Sequence, residues 1–324
     1  MIFALTGNLN SGKSTLAQYL KEDFGFNIVN LFEEFAGQHC NDADKLVQHK
    51  HYFSIDNKPK VIAILSLWLD RMKGDWKQHY VLYPLPLDQD YEHLIDKYNV
   101  LIFSVQAPTL DRFTRFSKQQ PEVPLQEFLA LDDICTYGSM NDNSLKITKT
   151  FVNSGESIDK FYSQLKLFNF KNNELVRPLW DTYFLRMCEI IASRSNCMKR
   201  SVGCVIVNDH RIVSTGYNGT PFGMENCSEG GCERCNTMTP SGVGLEECLC
   251  IHAEQNAVIE AGRAKCIGGT IYVNLSPCLT CSKSIIQAGI KRIVFNRKYI
   301  QEIAEKFWKK YEGQVEVVQH SILI

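Results

Sequence analysis

The 324 residues exceed the usual size of one compact domain, so two domains are the expectation, each able to bury its own core. Hydrophobic residues at 44%, charged residues at 22% and a net charge of −1 argue against a disordered chain and a broad nucleic-acid-binding surface; a small, locally charged ligand fits better. No stretch reaches the roughly 18 apolar residues of a membrane helix, and the opening MIFALTGNLNSGKS does not read as a secretory signal.

Those features point to a reducing, cytoplasmic setting, with a nuclear one also open. There the 13 cysteines are expected to serve as buried thiols and metal ligands rather than as a disulfide framework.

Residues 2–6 (IFALT) read as a short buried strand, followed by the loop Gly7 to Ser14 and an amphipathic helix from Thr15 to Lys21. Gly7-x-x-x-x-Gly12-Lys13-Ser14 between a strand and a helix satisfies the phosphate-loop pattern. Backbone N–H groups would surround a nucleotide phosphate, Lys13 would add charge and Ser14 would hold Mg2+. Apolar runs at 80–85 and 100–105 look like buried parallel strands, which implies an α/β layer structure.

This front half resembles the P-loop nucleotide kinases, and LIFSVQAPTLDRFTRF at 101–116 is similar to their late strand and Arg-bearing helix. VLYPLPLDQD at 81–90 offers no Walker B ending, and no acceptor-binding residues can be assigned. An active kinase, a nucleotide-sensing domain and a vestigial scaffold stay open, the last two ahead of the first. The hydrophilic KNNELVRP at 171–178 marks the boundary, giving an expected kinase-like domain at 1–170 and a second domain at 175–324.

The second domain opens on WDTYFLRMCEIIASRS, with Trp180, Phe184, Met187, Cys188 and Ile191 at helical spacing. Strands follow at 202–207 and 211–217 around Asn208-Asp209-His210, a hairpin signal. After a Gly- and Cys-rich loop at 218–250 come a helix at 253–261, a strand at 270–274, a helix at 278–288 stopped by Gly289, and strands at 292–295 and 315–318.

The strongest chemical signal is His252-Ala253-Glu254, separated by 22 residues from Pro277-Cys278-Leu279-Thr280-Cys281. Zinc takes imidazole nitrogen and thiolate sulfur in a tetrahedral shell, and a catalytic site keeps three protein ligands so that water can take the fourth position. His252, Cys278 and Cys281 supply three such ligands. Pro277 suits the first turn of a helix, which sets the two cysteines near a helix N-terminus that favours thiolate. Glu254, two positions from His252, cannot share its direction and belongs beside the metal as the proton carrier. The chemistry implied is metal-assisted hydrolysis: water of lowered pKa attacks an electron-poor ring carbon, and H-x-E…P-C-x-x-C is the established pattern of zinc deaminases acting on nucleobases.

At these residues, and through SRSNCMKRSVGCVIV at 193–207, GYNGTP at 216–221 and CIHAEQNAVIEAGR at 250–263, the chain resembles the deoxycytidylate (dCMP) deaminase family of the cytidine deaminase superfamily. The resemblance spans about residues 178–300. It implies a three-layer α/β/α fold with a mixed sheet, preceded by the P-loop kinase-like α/β domain, and conversion of dCMP to dUMP for thymidylate synthesis. By position it implies that Asn218 lines the nucleotide pocket and that Arg263 holds phosphate or a subunit contact. Gly219, beside Asn218, falls in the same substrate or effector region, although Gly216 and Gly219 also suit a plain turn. It further implies a homo-hexamer activated by dCTP and inhibited by dTTP. Two rival readings are a tRNA or single-stranded-DNA editing deaminase, disfavoured by the lack of a basic stripe, and a nucleotide-binding regulatory protein without turnover, disfavoured by the intact Glu254.

The loop NCSEGGCERCNTMTPSGVGLEECLC carries Cys227, Cys232, Cys235, Cys248 and Cys250, with Cys197 upstream. Such density on a polar loop points to a second, structural zinc that staples it. Spacing favours Cys232, Cys235, Cys248 and Cys250, whereas some relatives use the positions of Cys197 and Cys227; two metals or a mixed set stay open.

Overall fold

Every strand of the first unit runs in the same direction. In the computed structural model, which describes all residues except 40–44, 76, 87, 138–145, 155–156, 241–242, 300 and 323–324, the chain divides into Met1–Val176 and Arg177–Ile324. The first unit holds β1 (Ile2–Thr6), α1 (Lys13–Phe24), β2 (Asn27–Asn30), α2 (Leu31–His39), α3 (Lys45–Tyr52), α4 (Lys58–Gly74), β3 (Tyr80–Tyr83), α5 (Glu92–Tyr98), β4 (Leu101–Gln106), α6 (Thr109–Ser117), α7 (Leu125–Tyr137), β5 (Ile147–Val152) and α8 (Ile158–Lys166).

Its sheet has the parallel order β2-β3-β1-β4-β5. A parallel sheet covered on both faces needs near-continuous apolar strands, and alternate residues of β1 and β4 feed opposite cores. Ala4 and Ile102 pack with α4, while Phe3, Leu5, Phe103 and Val105 pack with α1 and α8. Helix α1 is longer than the 15–21 expected from sequence, because Gly12 and Gly25, both in the left-handed region, set its two ends.

The second unit contains α9 (Trp180–Ala192), β6 (Gly203–Asn208), β7 (Arg211–Tyr217), α10 (Glu233–Asn236), α11 (Ala253–Cys266), β8 (Thr270–Leu275), α12 (Leu279–Gln287), β9 (Arg292–Arg297), α13 (Glu302–Lys309) and β10 (Glu316–Gln319). Its sheet order is β10-β9-β8-β6-β7. Strands β6, β7 and β8 pair antiparallel through β6, whereas β8, β9 and β10 are parallel, so the sheet is mixed. Asp209 and His210, both at positive φ (45° and 59°), close the β6–β7 hairpin in the mirror-image turn that matches strand twist.

Period-two alternation again builds the layers. Val205, Val207, Tyr272 and Val294 face α9, packing on Phe184, Leu185 and Cys188. Cys204, Ile206, Ile271, Val273, Ile293 and Phe295 face the other way, onto Ala253, Ala257 and Ala261 of α11 and Ile285 of α12. The small face of α11 lets it lie close on β7: a Cβ on Gly216 would stand 2.2 Å from the Ala253 carbonyl oxygen and 2.6 Å from the Ala257 nitrogen. The result is an α/β/α layering in which α11 and α12 share one face, with their N-terminal ends in reach of each other.

Candidate metal centres and catalytic carboxylate

His252 is the N-cap of α11, with extended backbone (φ −77°, ψ 153°); its N–H donates to the Gln255 side chain at 3.3 Å. Cys278 is likewise the N-cap of α12, and its carbonyl accepts from the Ser282 N–H and hydroxyl, both at 2.8 Å. Pro277 therefore precedes the cap instead of occupying the first turn expected from sequence. The extended Cys278 makes the turn into the helix, and Leu279, the first helical residue, donates its N–H to the Gln301 side chain at 3.0 Å.

Two helix N-termini thus converge, each offering positive dipole ends that favour anionic ligands. The His252 Nδ1 lies 3.2 Å from Cys281 Sγ and 3.5 Å from Cys278 Sγ, and all three donor atoms sit within 4.8 Å of one another. Those separations fit the edges of a tetrahedron with Zn–S near 2.3 Å and Zn–N near 2.0 Å. Between the two sulfurs, the hydrogen bond to Cys281 and that to His252 hold the Cys278 thiol down at about 4, while the shared proton pushes Cys281 upward. The hydrogen bond to Cys278 raises His252 in turn.

Glu254, two residues into the same helix, is buried at 4% exposure, and that burial raises its pKa against the pull of His252. A dication beside it acts in the opposite direction, favouring carboxylate. A carboxyl poised between these effects next to a site with one open metal position can pass protons to and from a bound ring.

Asn218 is buried, and its side chain holds the chain around it: Oδ1 accepts from Ser195 Oγ at 2.7 Å and from Val202 N at 2.8 Å, and Nδ2 donates to Arg200 O at 2.8 Å. Gly219 exchanges backbone hydrogen bonds with Ile251 at 3.2 and 2.9 Å, tying this loop to the residue before His252. Arg263 is exposed, eleven residues along α11 from His252, on the order of 16 Å of helix and past a kink at Gly262. Within one chain it does not reach the His252 centre.

Two asparagines, the buried Asn274 and the half-buried Asn196, escaped the sequence reading. Asn274 accepts from Gly203 N at 3.1 Å and donates to Glu189 at 3.1 Å, joining β8 to the start of β6. Asn196 donates to Asn226 at 2.6 Å and keeps a buried Oδ1 without a hydrogen-bond partner among the described residues. It lies within the SRSNCMKR run, which carried the signal but no role.

The six loop cysteines come together as one buried cluster, with Cys197 and Cys248 at its rim. The quartet favoured by spacing, Cys232, Cys235, Cys248 and Cys250, is present at ligand distance, and so is a mixed one, Cys197, Cys227, Cys235 and Cys250.

In the first unit, Lys13 donates to Gly7 O at 2.9 Å and Asn8 O at 2.7 Å, and desolvation pushes it down to about 8. Arg112 of α6 donates to Leu9 O and to Asp132, and Arg115 to Asn10 O and Ser11 O, so the helix after β4 props the Gly7–Ser14 loop. Ser14 is exposed on the first turn of α1. Downstream of β3, Asp88 and Asp90 are both ion-paired to Lys58 at 2.5 Å, so among the described residues of that stretch neither carboxylate is unpaired for the Walker B role.

Residues 178–297 match the family model described as the cytidine and deoxycytidylate deaminase zinc-binding region. The deoxycytidylate deaminase of Schizosaccharomyces pombe is 34% identical over 301 residues, covering 91% of this chain and 90% of the relative. That of Saccharomyces cerevisiae is 48% identical over 147 residues, 44% of this chain and 46% of the relative. Among solved structures, the dCMP deaminase of cyanophage S-TIM5 in complex with dCMP and dUMP is 31% identical, covers 43% of this chain and 94% of its own, and has a TM-score of 0.34.

Proposed function

The chain belongs to the deoxycytidylate deaminase family, and from that premise we infer that it deaminates dCMP hydrolytically to dUMP and ammonia, using His252, Cys278 and Cys281 as zinc ligands and Glu254 as proton carrier. The observation that carries the reading is the meeting of two helix N-caps that put one imidazole nitrogen and two sulfurs at tetrahedral spacing. Zinc bound there supplies Lewis acidity that brings the pKa of water toward neutrality. Glu254 takes the first proton of the attacking water and delivers it to the pyrimidine ring nitrogen as the hydroxyl adds to the ring carbon; it then takes the second proton from that hydroxyl and passes it to the amine, so that the C–N bond breaks, the carbonyl forms and ammonia leaves. Its burial excludes bulk water that would compete for those protons.

Asn218 fixes the segment 195–202 through its three hydrogen bonds, and Gly219 fixes the entry to α11, so both shape the nucleotide pocket beside His252. Arg263, remote from the zinc of its own chain, suits a phosphate or subunit contact in a homo-hexamer. Exposed apolar side chains at Ile190, Ile259 and Phe222 support such assembly. Activation by dCTP and inhibition by dTTP follow from the family resemblance, as does a role in supplying dUMP for thymidylate synthesis. Among the described residues no helix is long and apolar enough to cross a membrane, and the proposed setting is cytoplasmic. At least four of the six clustered cysteines hold structural zinc.

For the first unit, the Gly7–Ser14 loop between β1 and α1 supports nucleotide binding with Mg2+ at Ser14, in a sensing role ahead of phosphoryl transfer. The pairing of both Asp88 and Asp90 with Lys58 favours that order.

Incubating the pure protein with dCMP, CMP, deoxycytidine and a cytosine oligonucleotide, with and without dCTP, and following ammonia and the uracil product tests the reading. Turnover of dCMP is expected; turnover of the oligonucleotide alone would overturn it.

A further inference from the structure

A single structural zinc leaves two of the six clustered cysteines without a role. The two quartets that lie at ligand distance differ in one pair each: Cys197 and Cys227 in one, Cys232 and Cys248 in the other. Cys235 and Cys250 belong to both. Two tetrahedra sharing one edge have this composition, with two terminal ligands on each ion and two sulfurs common to both.

The distances agree. A zinc–thiolate tetrahedron with Zn–S near 2.3 Å has sulfurs about 3.8 Å apart. The shared Cys235 and Cys250 are 4.0 Å apart, Cys235 is 3.9 Å from Cys197 and 3.6 Å from Cys248, and Cys232 is 4.0 Å from Cys248. None of these is near the roughly 2.05 Å of a disulfide, and the described cysteines are all free thiols.

From this arrangement we propose that residues 197–250 hold a binuclear zinc cluster, in which Cys197 and Cys227 bind one ion, Cys232 and Cys248 bind the other, and the thiolates of Cys235 and Cys250 bridge the two. The proposal rests on the reading of this loop as metal-binding and is independent of the catalytic centre.

Charge and hydrogen bonding agree with it. Six thiolates around two dications leave a formal charge of −2, the same as four thiolates around one, so the second ion adds no net charge while giving the remaining two cysteines a role. The terminal sulfurs receive backbone N–H groups, Met198 N to Cys227 at 3.5 Å and Leu249 N to Cys232 at 3.4 Å, the outer-shell support that thiolate ligands need. Arg234, a buried cation on the same short helix as Cys235, donates only to the carbonyls of Val243 and Pro240 among its hydrogen bonds, so its charge is not consumed by a carboxylate there.

The cluster replaces the hydrophobic core that this polar loop lacks. It also joins Cys197, next to the half-buried Asn196, to Cys250, two residues before the His252 ligand. Its ions would therefore tie together two segments that flank the catalytic site.

The test is the metal content of the full chain. Three zinc ions per chain are expected, one for each ligand group. Cys248→Ser and Cys197→Ser should each lower the count by one and Cys235→Ser by two, with Cys278→Ser removing the catalytic ion alone. Because such variants can misfold, cadmium NMR of the unmutated protein loaded with 113Cd gives a second readout: two all-sulfur resonances with mutual coupling through the shared sulfurs. A count of two, or two uncoupled resonances, would overturn the shared-thiolate cluster while leaving a structural ion; a count of one would remove the structural zinc altogether. Neither result touches the dCMP reading, which the activity assay decides.

Discussion

Replacing Glu254 by Gln removes one titratable group and almost nothing else. The two side chains have nearly the same volume, so the buried site on α11 keeps its packing, and neither the His252 nor the two sulfur ligands are changed. Glu254 is assigned the transfer of both water protons, the first to the ring nitrogen and the second to the departing amine. Each general acid–base step contributes about 10²–10⁴-fold. Losing both roles should lower kcat by at least roughly 10⁴-fold, about 5 kcal/mol at 1.36 kcal/mol per decade. KM for dCMP should move by only a few-fold, and zinc content should not change. The assay is the fall in dCMP absorbance with ammonia release as a check, run beside zinc analysis of the same preparation. A variant within tenfold of wild-type kcat with its zinc intact would refute the assignment of the proton carrier. A variant that loses zinc with its activity would instead make Glu254 a metal ligand.

Arg292 grips Asp181 with two hydrogen bonds of 2.7 Å, and Tyr272 adds a third of 2.9 Å, tying the first turn of α9 to β9 and β8. These contacts, the Arg292 hydrogen bond first, hold the Asp181 carboxyl below its usual range. The linked stability is therefore present above the unfolded pKa near 4 and is lost as pH falls through the lower folded value. Asp181→Asn should cost about 1–2 kcal/mol at pH 7 after allowance for the partial exposure of the pair, and the gap in urea midpoint should close at low pH; a gap independent of pH would exclude ion pairing as its cause. Gly216→Ala puts a methyl 2.2 Å from the Ala253 carbonyl, so it should destabilise by about 1–3 kcal/mol or more and displace α11, with loss of catalytic zinc; an unchanged Tm and metal content would contradict the close approach. Lys13→Ala should weaken ATP binding to the full chain by tenfold or more in calorimetry while leaving basal dCMP turnover in place; ATP affinity equal to wild type would reduce the first unit to a scaffold.

The elements most legible in sequence were those whose chemistry is local. His252, Glu254, Cys278 and Cys281 announced themselves because ligand spacing and helix capping are properties of a few neighbouring residues, and β6 and β8 were legible as short, near-continuous apolar runs. The termini of α1 and α12 were misplaced by one to three residues, because a left-handed Gly12 or an extended Cys278 sets a helix end by backbone geometry that hydrophobic pattern does not record. Asn274 was missed for a different reason: its partners, Gly203 and Glu189, are more than 70 residues away in the chain.

By itself, then, the order of residues nominated the side chains suited to bind metal and carry protons, and determined that the chain is an α/β protein in two parts. Tertiary structure alone decided which donors meet. His252, Cys278 and Cys281 come from two helices that must share a face of one mixed sheet, and the six clustered cysteines, spread over 54 positions, fall into two quartets that share Cys235 and Cys250, a pair that no spacing rule singles out. Metal ligation depends on distances of a few ångströms, and only the packed sheet sets those between segments remote in sequence.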